Sequence, residues 1–498
     1  MRRSGVLMHI TSLPSPGGVG TLGREAFAFA DFMEKAGLSV WQMLPIGPTG
    51  YGESPYQSGS THAGNPMLID LELLREEGLL AAELPQMAGN PDRADFPAVR
   101  AQKERLLRLS FAQSFSKVEA DVYDFAAQQA WAPDGKNAVN WLDTYALYAA
   151  IKEAHGGAAW TEWPLEYRDF RRVNAAPFQK NADFYIYCQW LFFRQWRAFR
   201  EYVARKGIAL FGDMPIYVAE DSADAWSEPQ LFQLDENFAP LRVAGVPPDY
   251  FCADGQRWGN PLYDWKKMRR DKFRWWLRRL HSAGGMFDWL RIDHFIGFAN
   301  YYSIPASCPT AREGKWVKAP GKALFKRVER ALPDLKIIAE DLGEVGPRVR
   351  RLINYFGYPG MKVIQFGFDS DKTNPHFPGN IVQNSVAYTG THDNDTIMGW
   401  WEKASEPVKK LALKTLPAAD TICEAMIQCV FASVADTAIV PMQDFLHLGG
   451  EARMNFPGTV GGNWLWRMRP GAADDALAGR IRALNGRTGR LLRPEKEE

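Results

Sequence analysis

An α/β fold, a closed (β/α)8 barrel of the TIM type carrying insertions, is what this 498-residue sequence predicts. Three observations lead there. Eight short β-type runs are spread along the chain, amphipathic helical stretches lie between most of them, and their order shows no reversal of the kind a doubly wound sheet requires. Length agrees, since it suits about three ordinary domains or one large barrel with insertions.

The runs cover residues 6–10, 40–45, 209–213, 287–293, 336–340, 362–366, 385–388 and 438–441. Between the first two, residues 25–36 read as an amphipathic helix, a βαβ unit that predicts parallel pairing. Residues 189–205 place Phe192, Trp196, Phe199 and Val203 on one helix face, and residues 265–280 do the same with Trp265, Met268, Trp276 and Leu280. The gap from Gly47 to Ile208 is far longer than a βα connection needs, with helical runs near 98–116, 119–130 and 141–153. We therefore expect one catalytic barrel over 1–498, a helical insertion over 67–186 between strands two and three, and a loop insertion over 217–260 above the cleft. Only a short helix and a charged tail follow the last strand, which leaves no room for a C-terminal β-sandwich.

Composition narrows the function. With 59 basic and 58 acidic side chains the formal charge is +1, which argues against a nucleic-acid partner. Eight of the basic groups crowd residues 266–279, where a solvated helix face is the expected use. Five scattered cysteines form no CxxC pair, so neither a zinc knuckle nor a disulfide framework is indicated. No apolar run is long enough for a signal h-region or a bilayer span, which points to the cytoplasm and to no membrane partner. The 18 Trp exceed what packing alone requires, and flat rings with a polar edge suit sugars, while a Trp-rich core is the equal alternative for any single ring. Gly18–Gly23 is formally GxGxxG, but it stands seven residues after its strand and no acid closes the second strand. A helix-capping turn is the better reading.

In this fold, chemistry sits where strands end. Strand four ends in Arg291-Ile292-Asp293-His294, strand five in Ala339-Glu340-Asp341, and strand seven runs into His392-Asp393-Asn394-Asp395. Carboxylates converging from three strand ends suit glycosidic chemistry: one attacks the anomeric carbon, another protonates the departing oxygen, and a third holds the sugar. Arginine two residues before Asp293 can keep a carboxylate ionised and oriented. A metal site is the rival use of such residues, weakened by the lack of a histidine-rich ligand set. His9 reads as a structural hydrogen-bonding residue.

The segments RIDHF (291–295), IAEDLG (338–343) and THDND (391–395) resemble the signature regions of the α-amylase clan. Within it, SPYQS (54–58), AGNP (63–66), GDMPIYVAEDSADAW (212–226), PPDYF (247–251), GQRWGNPLYDW (255–265) and PMQDFL (441–446) resemble the 4-alpha-glucanotransferases, the amylomaltases of glycoside hydrolase family 77. That resemblance implies a retaining double displacement with no metal or organic cofactor. It implies Asp293 as nucleophile, Glu340 as acid/base and Asp393 as the third carboxylate, with Asp395 the alternative by composition. It further implies Tyr56, Asp213, Arg291, His294 and His392 around the sugar whose bond is cut, and Asp249, Gln256 and Trp258 in a loop over the bound chain. The implied partners are α-1,4-glucans and maltooligosaccharides, with glucose as an acceptor. The rivals are an α-glucan hydrolase of the same clan and a catalytically silent glucan-binding barrel. The chain departs from the family pattern at Ile296, Tyr302 and Thr61-His62, none of them a catalytic position.

Overall fold

The computed structural model describes residues 2–84, 90–248, 253–343, 345–369 and 371–491. Eight parallel strands form the central sheet: β1 (Arg3–Leu7), β2 (Val40–Gln42), β3 (Ala209–Met214), β4 (Trp289–Ile292), β5 (Lys336–Ala339), β6 (Gly360–Val363), β7 (Ser385–Tyr388) and β8 (Thr437–Pro441). Their order, β5-β4-β3-β2-β1-β8-β7-β6, is that of a barrel cut at the seam between β5 and β6. Two bonds bridge the seam: the Ala339 N–H donates to the Pro359 carbonyl at 2.9 Å, and the Met361 N–H to Asp341 Oδ1 at 2.7 Å. A Cβ on Gly360 would stand 2.6 Å from the Asp341 carboxylate, so the close approach that nearly closes the barrel needs glycine there.

All eight predicted strands exist, but two are displaced. The first starts at Arg3, because Arg3, Ser4 and Gly5 pair with Thr437, Ala438 and Ile439 of β8, and the chain leaves the sheet after Leu7. The sixth starts at Gly360, opposite Ser385, and turns into a 3-10 helix at Ile364. In both, the glycine that register requires is a poor strand former, while the apolar residues that follow look more strand-like than they are.

Helix α1 (Arg24–Ala36) follows β1. Between β2 and β3 run α2 (Phe96–Ala127), one continuous helix where two runs were expected, α3 (Trp141–Ala154) and α4 (Gln179–Arg205). Trp41 of β2 is gripped edge-on by Phe29 of α1 and Phe199 of α4, with ring centroids 4.8 and 5.3 Å away. Residues 265–280, read as one helix, are two: Trp265–Arg270 and α5 (Arg274–Met286). Lys272 and Phe273 between them are left-handed (φ 56 and 59°), and the turn they make lets Phe273, Trp275 and Trp276 enter the core. The basic run is correspondingly not a solvated face throughout. Arg279 is buried on the carbonyls of Pro215 and Ile216, Arg278 pairs with Glu228, and Arg274 pairs with Asp134.

Residues 217–260 are more than loop. They supply two strands, Arg242–Val246 and Gln256–Pro261, to an antiparallel sheet completed by Asn300–Pro305 and Lys315–Lys318. Eleven of the 18 Trp are buried, so packing consumes most of that surplus. Among the described residues no helix is long and apolar enough to cross a membrane.

Two glutamines of α4 hold the irregular chain after β2 in place. Gln189 forms a closed amide pair with the Gly64 backbone (2.8 and 2.9 Å), and Gln195 does the same with Asp70 (2.7 and 2.9 Å). All these groups are buried, so each pair prevents two orphaned backbone groups. Gln189→Leu should lower stability to urea by about 2–4 kcal/mol, the cost of two unpaired backbone groups; a loss below about 0.5 kcal/mol would show that the clamp is dispensable.

Candidate active site

Register builds the site. Asp213 of β3 and Arg291 of β4 are direct partners across parallel strands, so both side chains leave the sheet on one side. Arg291 Nη1 donates to Asp213 Oδ2 at 2.5 Å and Nη2 to Asp293 Oδ1 at 2.8 Å. The guanidinium is 4% exposed, the Asp213 carboxylate 0% and the Asp293 carboxylate 30%. Thus one end of the bridge is sealed and the other opens into the cleft. Burial alone would loosen the proton on Arg291, but Asp213 and Asp293 outweigh it and raise its pKa further.

One strand over, Glu340 follows β5, its backbone N–H bonded to the Ile292 carbonyl at 3.2 Å. His294 adopts a left-handed conformation (φ 49°), strained for a residue with a Cβ. That turn aims the His294 N–H at Glu340 Oε2 (2.7 Å), and the Leu342 N–H reaches Oε1 at 2.6 Å. Glu340 is buried, and burial together with the Asp293 charge pushes its pKa from the ordinary 4.5 up to about 8, against the opposing pull of Arg291 and the two N–H donors. The two carboxyl groups therefore stand in opposite environments. Burial likewise lowers His294 to about 4, so its ring is neutral, and its Nε2 has no hydrogen-bond partner.

The third wall comes from the loop after β7. His392 Nε2 lies 2.8 Å from the Tyr56 hydroxyl and 3.4 Å from Asp393 Oδ2, and the Tyr56 and His392 rings stack at 5.2 Å. Tyr56 donates to Asp213 Oδ2 at 2.8 Å, and burial, then the Asp213 charge, raises the phenol far out of reach of physiological titration. His9 lies behind this wall, its pKa lowered to about 3 by burial and by His392. Asp444 brackets the loop from below, accepting from Thr389 Oγ1 (2.7 Å) and the Ile397 N–H (2.8 Å).

Of the residues singled out in the sequence, Tyr56, Asp213, Arg291, Asp293, His392 and Asp393 are thus joined by hydrogen bonds and ion pairs. His294 with Glu340 forms a second bonded pair that feels the charge of Asp293. Asp213 has no surface in the cleft and reaches it only through Arg291 and Tyr56. Asp395 is directed elsewhere, paired with Lys403 Nζ at 2.5 Å. Trp258 stands edge-on to His294 with ring centroids 4.9 Å apart, and its Nε1 donates to Gln256 Oε1 at 3.1 Å. Asp249 lies outside the described residues. Among the described residues no three His, Cys, Asp or Glu side chains are arranged to hold a metal ion.

Three participants escaped the sequence reading. Asn455 Nδ2 donates to Asp393 Oδ1 at 2.6 Å, Arg453 Nη2 to the Asp393 carbonyl at 2.6 Å, and Trp464, left-handed at φ 66°, lies 5.8 Å from Tyr56 and 6.0 Å from His392. They come from the irregular segment after β8, where neither period nor strand end marks them.

A buried carboxyl with a raised pKa beside an arginine-bound carboxylate, at the C-terminal mouth of a parallel barrel, is the pairing that glycoside-cleaving enzymes of the two-carboxylate type use. The model of the 4-alpha-glucanotransferase family, glycoside hydrolase family 77, matches residues 8–473, and the chain belongs to that family. It is 46% identical to the 4-alpha-glucanotransferase of Thermus thermophilus over 98% of this chain and 99% of that protein. Identity to the Synechocystis enzyme of the same name is 44%, over 99% and 98%. Among solved structures, an amylomaltase from Streptococcus agalactiae in complex with acarbose is similar at a TM-score of 0.93 and 38% identity, covering 99% of this chain and 100% of that one. The activity is transfer between α-1,4-glucans, and the hydrolase reading is not favoured.

Glu340 bears on stability as well. Between about 4.5 and 8 it holds its proton in the folded chain and loses it in the unfolded one, so stability falls as pH rises through that window. The thermal midpoint should drop from about pH 5 to pH 9, and Glu340→Gln should make that drop shallower in calorimetry. Parallel slopes for parent and variant would mean Glu340 is not a buried neutral acid.

Proposed function

We propose that the chain moves a segment of an α-1,4-glucan to the 4-hydroxyl of a second glucan, or of glucose, by a retaining double displacement on Asp293, Glu340 and Asp393. The observation that carries this reading is the pairing of an Arg291-bound Asp293 with a Glu340 whose pKa stands near 8. Asp293 Oδ attacks C1 of the sugar as the C1–O4 bond breaks, and Glu340 gives its proton to the departing oxygen. The leaving segment departs as an alcohol and the donor remains as an ester on Asp293. Glu340, now ionised, takes the proton of the acceptor 4-hydroxyl, whose oxygen attacks C1 and frees Asp293. Two inversions give retention.

Asp393, held by Asn455 and Arg453 and 43% exposed, is the carboxylate free to accept from sugar hydroxyls; the Lys403 pair on Asp395 argues against the alternative. The unpartnered His294 Nε2 suits another hydroxyl. Glucans and maltooligosaccharides as partners are supported by the relatives' names and by the acarbose bound to the streptococcal amylomaltase. The free Cys188, Cys308, Cys423 and Cys429 suit a reducing, cytoplasmic home. We read 67–186 as a unit added to the barrel, and 217–260 as cleft cover because Trp258 reaches His294.

Transfer instead of hydrolysis requires an acceptor in place and water kept away from the ester. Trp258→Ala should raise the ratio of hydrolysis to transfer on maltotriose; an unchanged ratio would remove that ring from the explanation. Asp293→Asn should cut transfer by about 10³-fold or more with the fold intact by circular dichroism, the scale on which a lost nucleophile is felt. Near-parental turnover in that variant would overturn the nucleophile. The transfer rate should also fall as pH rises through about 8, where Glu340 loses the proton it must donate.

A further inference from the structure

A cavity of about 420 Å³ lies outside the barrel mouth, between the end of α2, α4, α5 and the short ribbon Ala130–Trp131/Val139–Asn140. None of the transfer-site residues lines it. It opens to solvent, and its volume falls in the range of small-ligand sites. Two pins hold the ribbon on α5 without filling the space: Arg274 forks onto Asp134 (2.9 and 3.0 Å), and Trp131 stacks on His281 at 4.1 Å and 9°. Trp141 stacks on His62 at 5.6 Å and 14°, and His62 Nδ1 is bonded to Ser282 Oγ at 2.8 Å. Of the seven Trp not buried, these two are therefore fixed as rigid plates in a wall.

The polar lining identifies the ligand class. Arg200 and Arg278 are already paired, with Asp288 and Glu228, so no convergent cationic cradle exists for an anion. Arg197 makes no hydrogen bond or ion pair among the described residues, Gln128 offers an exposed amide, and the buried Nε1–H of Trp196 lacks a partner. Flat apolar plates ringed by an amide, an indole N–H and the guanidinium of Arg197 suit a sugar ring, whose faces are apolar and whose edge carries hydroxyls that accept from such donors. We propose that this cavity is a second, non-catalytic binding site for a segment of α-glucan. The choice of glucan rests on the function proposed above; the existence of the site does not.

Two variants test it. Trp131→Ala removes a plate. Gly285→Leu plugs the cavity, and because a Cβ there meets nothing within 4 Å it does so without disturbing the fold. Both should leave maltotriose disproportionation unchanged while raising KM for long linear amylose by roughly three- to tenfold, the worth of an aromatic contact. In an Asp293→Asn background, calorimetry with maltoheptaose should show one fewer binding event in the plugged protein than in the unplugged one. Unchanged KM for amylose and unchanged stoichiometry in Gly285→Leu would overturn the proposal. Failure of the parent itself to disproportionate maltotriose would instead count against the proposed function.

Discussion

The guanidinium of Arg291 is the constraint on which the site depends. Sealed from water, it must be balanced, and it is balanced twice: by Asp213 beneath it and by Asp293 at the cleft. Removing Asp213 would leave a buried cation with one partner, so this residue, whose side chain touches no solvent, still governs how Arg291 is held against Asp293. Burial first, and then the charge of Asp293, keeps Glu340 neutral. The buried cation thus binds one of two neighbouring carboxyls, while burial and the charge of Asp293 keep the other protonated against the pull of that same cation. That is the division of labour that two-step glycosyl transfer demands.

The barrel supplies this arrangement through register. Asp213 and Arg291 are lateral partners, Ala339 lies beside Ile292, and the left-handed turn at His294 points an N–H at Glu340. The α4 glutamines clamp backbone at Gly64 and Asp70, downstream of Tyr56, while Asp444 brackets the loop that carries His392 and Asp393. Each of these side chains is therefore supported by hydrogen bonds within the protein, the condition for preorganised chemistry.

How much of this was legible follows from where each group sits. Arg291, Asp293 and Glu340 lie within a residue or so of strand ends, so the barrel pattern and the acidic residues suffice to find them. Asn455, Arg453 and Trp464 belong to irregular chain and carry ordinary side chains, and only folding brings them to Asp393 and Tyr56. Gly5 and Gly360 hid two strand starts because glycine weakens the local strand signal exactly where tertiary approach demands it. The helix break at Lys272–Phe273 and the burial of Arg278 and Arg279 were equally invisible, since a basic amphipathic run looks the same whether it meets water or a partner carboxylate. Of the two uses open to the tryptophan surplus, ligand surface or core, the core takes most of it.

The neutrality of Glu340 can be observed without turnover. Carbon-13 labelling of glutamate side chains, with Glu340→Gln to assign the signal, would follow that carboxyl through a pH titration in the folded enzyme. The expected result is one glutamate titrating near pH 8 whose signal is missing in the variant. A full set of glutamates already ionised by about pH 6, with none lost near 8 in the variant, would contradict the separation of charge on which the mechanism is built.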